Sequence, residues 1–152
     1  MKKLVSKEFE VPLVLETSDL RLRALTINDV VKDYDAVMSS LDHLQSQNVF
    51  GGTWPRSDLT LEQDLIDLGW HQKEFQTRRS FAYTVMSLDE SECLGCVYIV
   101  PSERPGVDAE IYLWVRRSEF EKGTDPILFA LVKGWISKSW PFETVVFPGR
   151  QG

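Results

Sequence analysis

The feature that most constrains this chain is its last third, where a strand, a nearly all-apolar helix and a second strand follow one another. Ala109 to Arg116 is rich in aromatic and β-branched residues, the make-up of a packed strand. Asp125-Pro126 then reads as a sharp helix start, with Asp at the N-cap and Pro preformed for the first helical position. The predicted helix, Ile127 to Ser139, is apolar on most sides, which suits a crossover helix packed on a sheet. Thr144 to Phe147 is a short strand stopped by Pro148-Gly149. Such a unit places its two strands parallel, joined by a right-handed crossover.

The upstream sequence supplies the rest of a mixed sheet. Residues 1–17 read as an extended lead-in. Leu20-Arg-Leu-Arg-Ala-Leu25 alternates apolar and polar, the period-2 mark of a half-buried strand. Thr26 and Thr60 each stand three residues before Asp29 and Gln63, marking two helix starts. The first helix ends near Ser39-Ser40. The second carries Leu61, Leu65, Leu68 and Phe75 at helical spacing, with Glu62, Asp64, Asp67 and Lys73 expected on the surface. Between them, His43 to Pro55 reads as loop. Ser80–Leu88, Leu94–Val100 and Ala109–Arg116 then form an antiparallel meander with polar turns. The expected order is β-α-α-β-β-β-α-β: an α/β (α+β) single domain over residues 1–152, with helices on both faces of a mixed sheet.

Length and charge narrow the function classes. A chain of 152 residues with 43% hydrophobic content suffices for one domain with a substantial core. A net charge of −6 speaks against a nucleic-acid binder, which shows a basic face, and tolerates a cationic partner. No run approaches the roughly 20 apolar residues of a membrane helix, and Val11 to Leu15 is too short for a secretory leader. A cytoplasmic location without a membrane partner is the expectation. The cysteines, Cys93 and Cys96, form a CxxC pair within a predicted strand. Strict alternation would turn their side chains to opposite faces, so neither a metal nor a disulfide is expected of them. His43 and His71 are isolated, and hydrolase, kinase and metalloprotease motifs are absent.

Several phrases together resemble the Gcn5-related (GNAT) N-acetyltransferases. Leu15 to Leu25 is similar to the opening of the ribosomal-protein N-acetyltransferase branch. Leu94-Gly95-Cys-Val looks like the family's third strand, with its frequent glycine. Ala109-Glu110-Ile111 followed by Trp114-Val115 resembles the fourth strand, which carries a catalytic carboxylate in the histone-acetyltransferase branch. The likeness runs over residues 15 to 147 and implies a GNAT-like acyl-CoA N-acyltransferase fold, with acetyl-CoA as co-substrate and a small amine or a protein or peptide amino group as acceptor. Two departures stand out. The expected cofactor loop, Phe120 to Pro126, has a single glycine, Gly123, and no net positive charge across Arg116 to Asp125. The usual last helix and hairpin are missing after Phe147. These departures leave open a domain of this shape that binds a ligand or partner without catalysis.

The resemblance also assigns roles. Glu110 is the expected base, its pKa raised by the aromatic company of Tyr112 and Trp114 on the same strand face. Tyr112, with Tyr83 and Tyr98 as alternatives, is a candidate general acid. Trp114, Val115, Arg116, Arg117, Lys122, Gly123 and Thr124 are expected to cradle acetyl-CoA, with backbone N–H groups near Val115 serving the oxyanion. Trp54, in a glycine-rich loop, and Tyr83 and Tyr98 are expected to line the acceptor site. No metal is implied, and an exposed last strand suggests a homodimer.

Overall fold

The structure, a computed structural model, describes residues 3–150. The elements are β1 (Val14–Glu16), β2 (Arg21–Ala24), a 3-10 turn (Ile27–Asp29), α1 (Val30–Met38), α2 (Leu41–Gln47), α3 (Leu61–Gln76), β3 (Phe81–Met86), β4 (Cys93–Pro101), β5 (Ala109–Val115), α4 (Arg117–Glu121), α5 (Thr124–Ser139) and β6 (Val145–Val146). The six strands form one sheet in sequence order, antiparallel throughout except for the parallel pair β5–β6. The mixed sheet anticipated from the last third is therefore present, with β1, α2 and α4 added to the expected order.

Each face of the sheet has its own core. Phe81, Tyr83 and Val85 of β3 and Ile111 and Leu113 of β5 pack against Leu128, Val132 and Trp135 of α5. Ala82 of β3, Cys96 and Tyr98 of β4 and Trp114 of β5 pack instead beneath α1–α3, against Ala36, Val37, Leu44 and Leu68. The period of two in the strands thus sorts alternate residues into the two cores.

Both anticipated helix starts are capped. Thr26 Oγ1 accepts from the Asn28 N–H at 3.3 Å while Asp29 Oδ2 accepts from the Thr26 N–H at 2.9 Å. Thr60 Oγ1 accepts from the Gln63 N–H at 3.1 Å. The third start differs from expectation. Gly123, at φ 87°, is the N-cap of α5, so Asp125 and Pro126 fall at the second and third helical positions. Helix α2 was hidden in what reads as loop because it buries only Leu44 and lacks an apolar stripe.

One irregularity governs the middle of the sheet. Val85 pairs with Gly95 but Met86 pairs with Cys93, so Leu94 is an extra residue in β4. This bulge resets the alternation and turns Cys93 to the same face as Cys96, contrary to the expectation from strict period two. Glycine is required at its edge: a Cβ on Gly95 would lie 2.0 Å from the Trp114 carbonyl oxygen. Gly95→Ala is therefore expected to cost roughly 3 kcal/mol of stability in urea denaturation. Gly134→Ala, in the open interior of α5 where a Cβ meets nothing within 4 Å, should instead gain about 0.5–1 kcal/mol.

Candidate functional site

Strand β6 pairs with only the first two residues of β5, through Ala109↔Val145 and Glu110↔Val146. Beyond them Pro148, which has no N–H to give a ladder, and Gly149, at φ 79°, carry the chain away. The remaining edge of β5 faces a cavity of about 320 Å³ whose walls include Tyr112 to Val115, His43, Phe120 and Arg150. The Arg116 N–H bonds to Leu94 of the neighbouring strand. By alternation, Leu113 and Val115 point their backbone groups toward the gap. Their carbonyls are engaged there, Leu113 by Arg150 Nη2 at 3.3 Å and Val115 by His43 Nε2 at 3.3 Å.

At the inner end of this cleft stands the start of α5. Pro126 withholds one N–H from its first turn, and Asp125 is held in a two-pronged ion pair by Arg150 at 2.8 and 2.9 Å. A helix start of this composition presents an acid where an anion site needs free donors.

Glu110 and Tyr112 are adjacent on one face of β5, where the Tyr112 hydroxyl donates to Glu110 Oε1 at 2.8 Å. The carboxylate also accepts from Ser102 Oγ at 2.7 Å and pairs with Arg104 at 3.2 Å. These partners, Ser102 foremost, hold the Glu110 pKa below the ordinary glutamate value, against the upward pull of burial. The expectation of a raised pKa is thus corrected: Glu110 gains donors as well as aromatic neighbours. Tyr112 lines the cleft; its pKa is raised, chiefly by burial and then by its bond to Glu110, and it stays protonated.

The other expected cofactor residues divide. Trp114 and Val115 border the cleft. Arg116 turns away from it, buried, with its guanidinium on the Cys93 carbonyl, Ser39 Oγ and Asp35. Arg117 is exposed and its N–H donates to Ser40 Oγ. Lys122 and Thr124 both engage Glu119, at 3.0 and 2.9 Å. Gly123 supplies only the turn into α5. Of these, the buried Arg116 side chain is corrected, since it turns away from the cleft, while Lys122 and Thr124 stand at its edge with Glu119 as their partner.

Of the expected acceptor residues, Tyr83 is misplaced. It is buried in the core on the α5 side, its ring 4.9 Å from Trp135 and its hydroxyl on the Pro12 carbonyl at 2.6 Å. Tyr98 and Trp54 meet in a second cavity, of about 270 Å³, on the opposite face of the sheet. Its walls bring in Phe50, expected in a loop, and Asp64 and Asp67, expected on the surface, together with Asp33, Trp70 and His71. The signal was present in α3, where Asp64, Asp67 and His71 recur at helical spacing on one side. Asp64 is corrected from surface to interior, at 5% exposure. Burial raises the pKa of Asp33, Asp64 and Asp67 and lowers that of His71 to about 4.

Beneath this cavity the ligand-type atoms of Asp33, Cys93 and Cys96 lie within 4.8 Å of one another, Cys96 Sγ being 3.5 Å from Asp33 Oδ1. A structural zinc site takes four such ligands, and this cluster offers three.

No family model and no curated protein matches the sequence. Solved structures do match the fold. Ribosomal-protein-S5-alanine acetyltransferase from Vibrio fischeri aligns at a TM-score of 0.66 with 16% identity, over 84% of this chain and 68% of that one. RimL, a ribosomal L7/L12 α-N-protein acetyltransferase in complex with coenzyme A, aligns at 0.62 with 18% identity, over 80% and 67%. A GnaT-family acetyltransferase from Bordetella pertussis aligns at 0.56 with 19% identity, over 91% and 74%. The chain spans about two thirds of the length of the first two. At these identities the matches establish architecture, and the architecture of this chain is that of the GNAT acetyltransferases, including their ribosomal-protein branch.

Proposed function

We propose that the chain is an acyl-CoA-dependent N-acyltransferase that moves an acetyl group from acetyl-CoA to an amine. The observation that carries this reading is the parted β5–β6 pair, which leaves the Leu113 and Val115 backbone facing a cavity beside Tyr112. An extended thioester arm laid in that gap would meet main-chain groups as an added strand does. The GNAT-like architecture of the chain supports an acyl-CoA donor, as does the similar RimL structure, which was solved in complex with coenzyme A.

The chain's own groups then have separable tasks. The amine nitrogen attacks the thioester carbonyl carbon, and negative charge gathers on its oxygen. Backbone N–H groups of Leu113 and Val115 are the donors for that charge. The C–S bond breaks and the thiolate takes a proton. Tyr112 is the donor at hand, because the residue lines the cavity and its raised pKa keeps it protonated. Glu110 orients that hydroxyl as its acceptor. The ammonium proton of the acceptor goes to solvent water before attack, and the second proton, shed by the nitrogen as the amide forms, passes through water to the Tyr112 oxygen and restores its hydroxyl. The acceptor is an amine, small or at the end of a peptide, and Arg150 must leave the Leu113 carbonyl for the arm to lie flat.

A second reading, a domain that binds without catalysis, is favoured by the Arg150–Asp125 ion pair and by Pro126 at the helix start. Calorimetric titration with acetyl-CoA separates the two. Saturable binding is expected, and its absence at millimolar cofactor would sink the enzyme reading. Asp125→Asn should tighten acetyl-CoA binding about two- to fivefold, by removing an acid from the helix start and freeing Arg150 for the phosphates. Tyr112→Phe should lower turnover roughly 100-fold with cofactor affinity nearly unchanged. Glu110→Gln keeps an acceptor for Tyr112 and should cost about tenfold or less. Because Glu110 stays ionised well into acid, the rate profile of the wild type should show no limb from this carboxylate near neutrality.

A further inference from the structure

The cavity on the α1–α3 face has walls of two kinds. One is a belt of rings in sequence, Trp70–His71–Tyr98–Phe50–Trp54, with each neighbouring pair of centroids 5.2 Å apart. The other is acidic: Asp33, Asp64 and Asp67, with no lysine or arginine in the lining. Asp33 and Asp64 are 4% and 5% exposed, and their carboxyls face each other across α1 and α3. Asp64 Oδ2 is buried without a hydrogen-bond partner. His71 is neutral at physiological pH, so it adds a ring and no positive charge.

Two buried carboxyls side by side without a counter-charge share a proton, as in the Asp33–Asp64 hydrogen bond, unless a cation takes that proton's place. Aromatic faces attract an organic cation through their ring electrons and do nothing for a hydrated metal ion. We propose that this cavity binds the ammonium group of a small aliphatic amine, with Asp64 Oδ2 and Asp33 as acceptors and the Trp54–Tyr98–Trp70 rings as its walls. Phe50 lies between this cavity and the cleft, its ring 5.2 Å from Tyr98 and 5.3 Å from Tyr112. A diamine with one end in the cage would extend past Phe50 toward Tyr112. Assigning the bound amine as the acyl acceptor rests on the acyl-transfer reading; the binding itself does not.

The test uses 1,4-diaminobutane as probe and 1,4-butanediol as its uncharged counterpart, titrated into the full chain without acetyl-CoA and followed by calorimetry and tryptophan fluorescence. Saturable binding of the diamine alone is expected at pH 8. It should weaken tenfold or more in Asp64→Asn. Trp70→Ala, at a ring that is 55% exposed and so not needed for folding, should weaken it severalfold. The groups facing Asp33 and Asp64 are Asp67 and His71 from α3 and Cys93, Cys96 and Tyr98 from β4, with Arg116 beyond Cys93. As pH falls the raised carboxyls take up protons before ordinary ones, so affinity should drop steadily as pH is lowered from 8. Equal binding of the diol, or no saturation by millimolar diamine, would overturn the proposal. Acetyl-CoA binding without diamine binding would remove this proposal alone. Diamine binding without acetyl-CoA binding would remove the transfer reading and leave the cation site standing.

Discussion

Much of the architecture depends on one close approach, that of the Gly95 backbone to the Trp114 carbonyl, where any side chain would collide. With β4 that near β5, the extra residue Leu94 is accommodated as a bulge, and the strand rolls so that Cys93 and Cys96 share a face. The same approach brings Trp114 Nε1 to the Tyr98 hydroxyl at 3.0 Å. It also leaves the Cys93 carbonyl where the buried Arg116 guanidinium can reach it, at 3.1 Å. The cleft is built on one side of this point and the aromatic cavity on the other. A shift of β4 against β5 would disturb both.

The sequence made the frame legible because the frame obeys local rules. Alternation marked β2 to β5, hydroxyl caps marked α1 and α3, and the apolar helix fixed the parallel closure. Departures occurred where a residue answers to tertiary contacts instead. Alternation turns Cys93 and Cys96 to opposite faces because a bulge has no signature in it. Asp64 was assigned to the surface because an acid in a helix is usually solvated, whereas here α1 and the Phe50–Trp54 loop cover it. Arg116 resembled a phosphate ligand by position, yet its strand parity turns it inward beneath α1. Glu110 could be placed on its strand; its low pKa depends on Ser102 and Arg104, from the preceding turn, which no spacing rule brings to it.

The two cavities differ in how their charges are balanced. In the cleft the lining acid and the lining guanidinium, Asp125 and Arg150, are paired with each other. Such a cleft is electrically quiet, and an anionic cofactor entering it must compete with ion pairs already made. In the other cavity the carboxyls have no cationic partner among the lining residues. Asp33, Asp64 and Asp67 thus bring acids without a cationic partner into a ring-lined cavity.

That imbalance is itself evidence of use. A fold seeking only stability would place apolar side chains under α1 and α3, since well-packed hydrophobes outperform buried acids there. Asp33 instead lies against Asp64, Cys93 and Cys96, groups that each raise or share its charge burden, with burial pressing its carboxyl toward the protonated form. A carboxyl of raised pKa favours the folded state below the unfolded value and loses that advantage as pH rises through the folded one. Near neutrality the paired acids therefore lower stability. Strain of this sort is retained where a ligand relieves it, and the ligand that relieves paired acids inside an aromatic ring is positive, partly apolar and small.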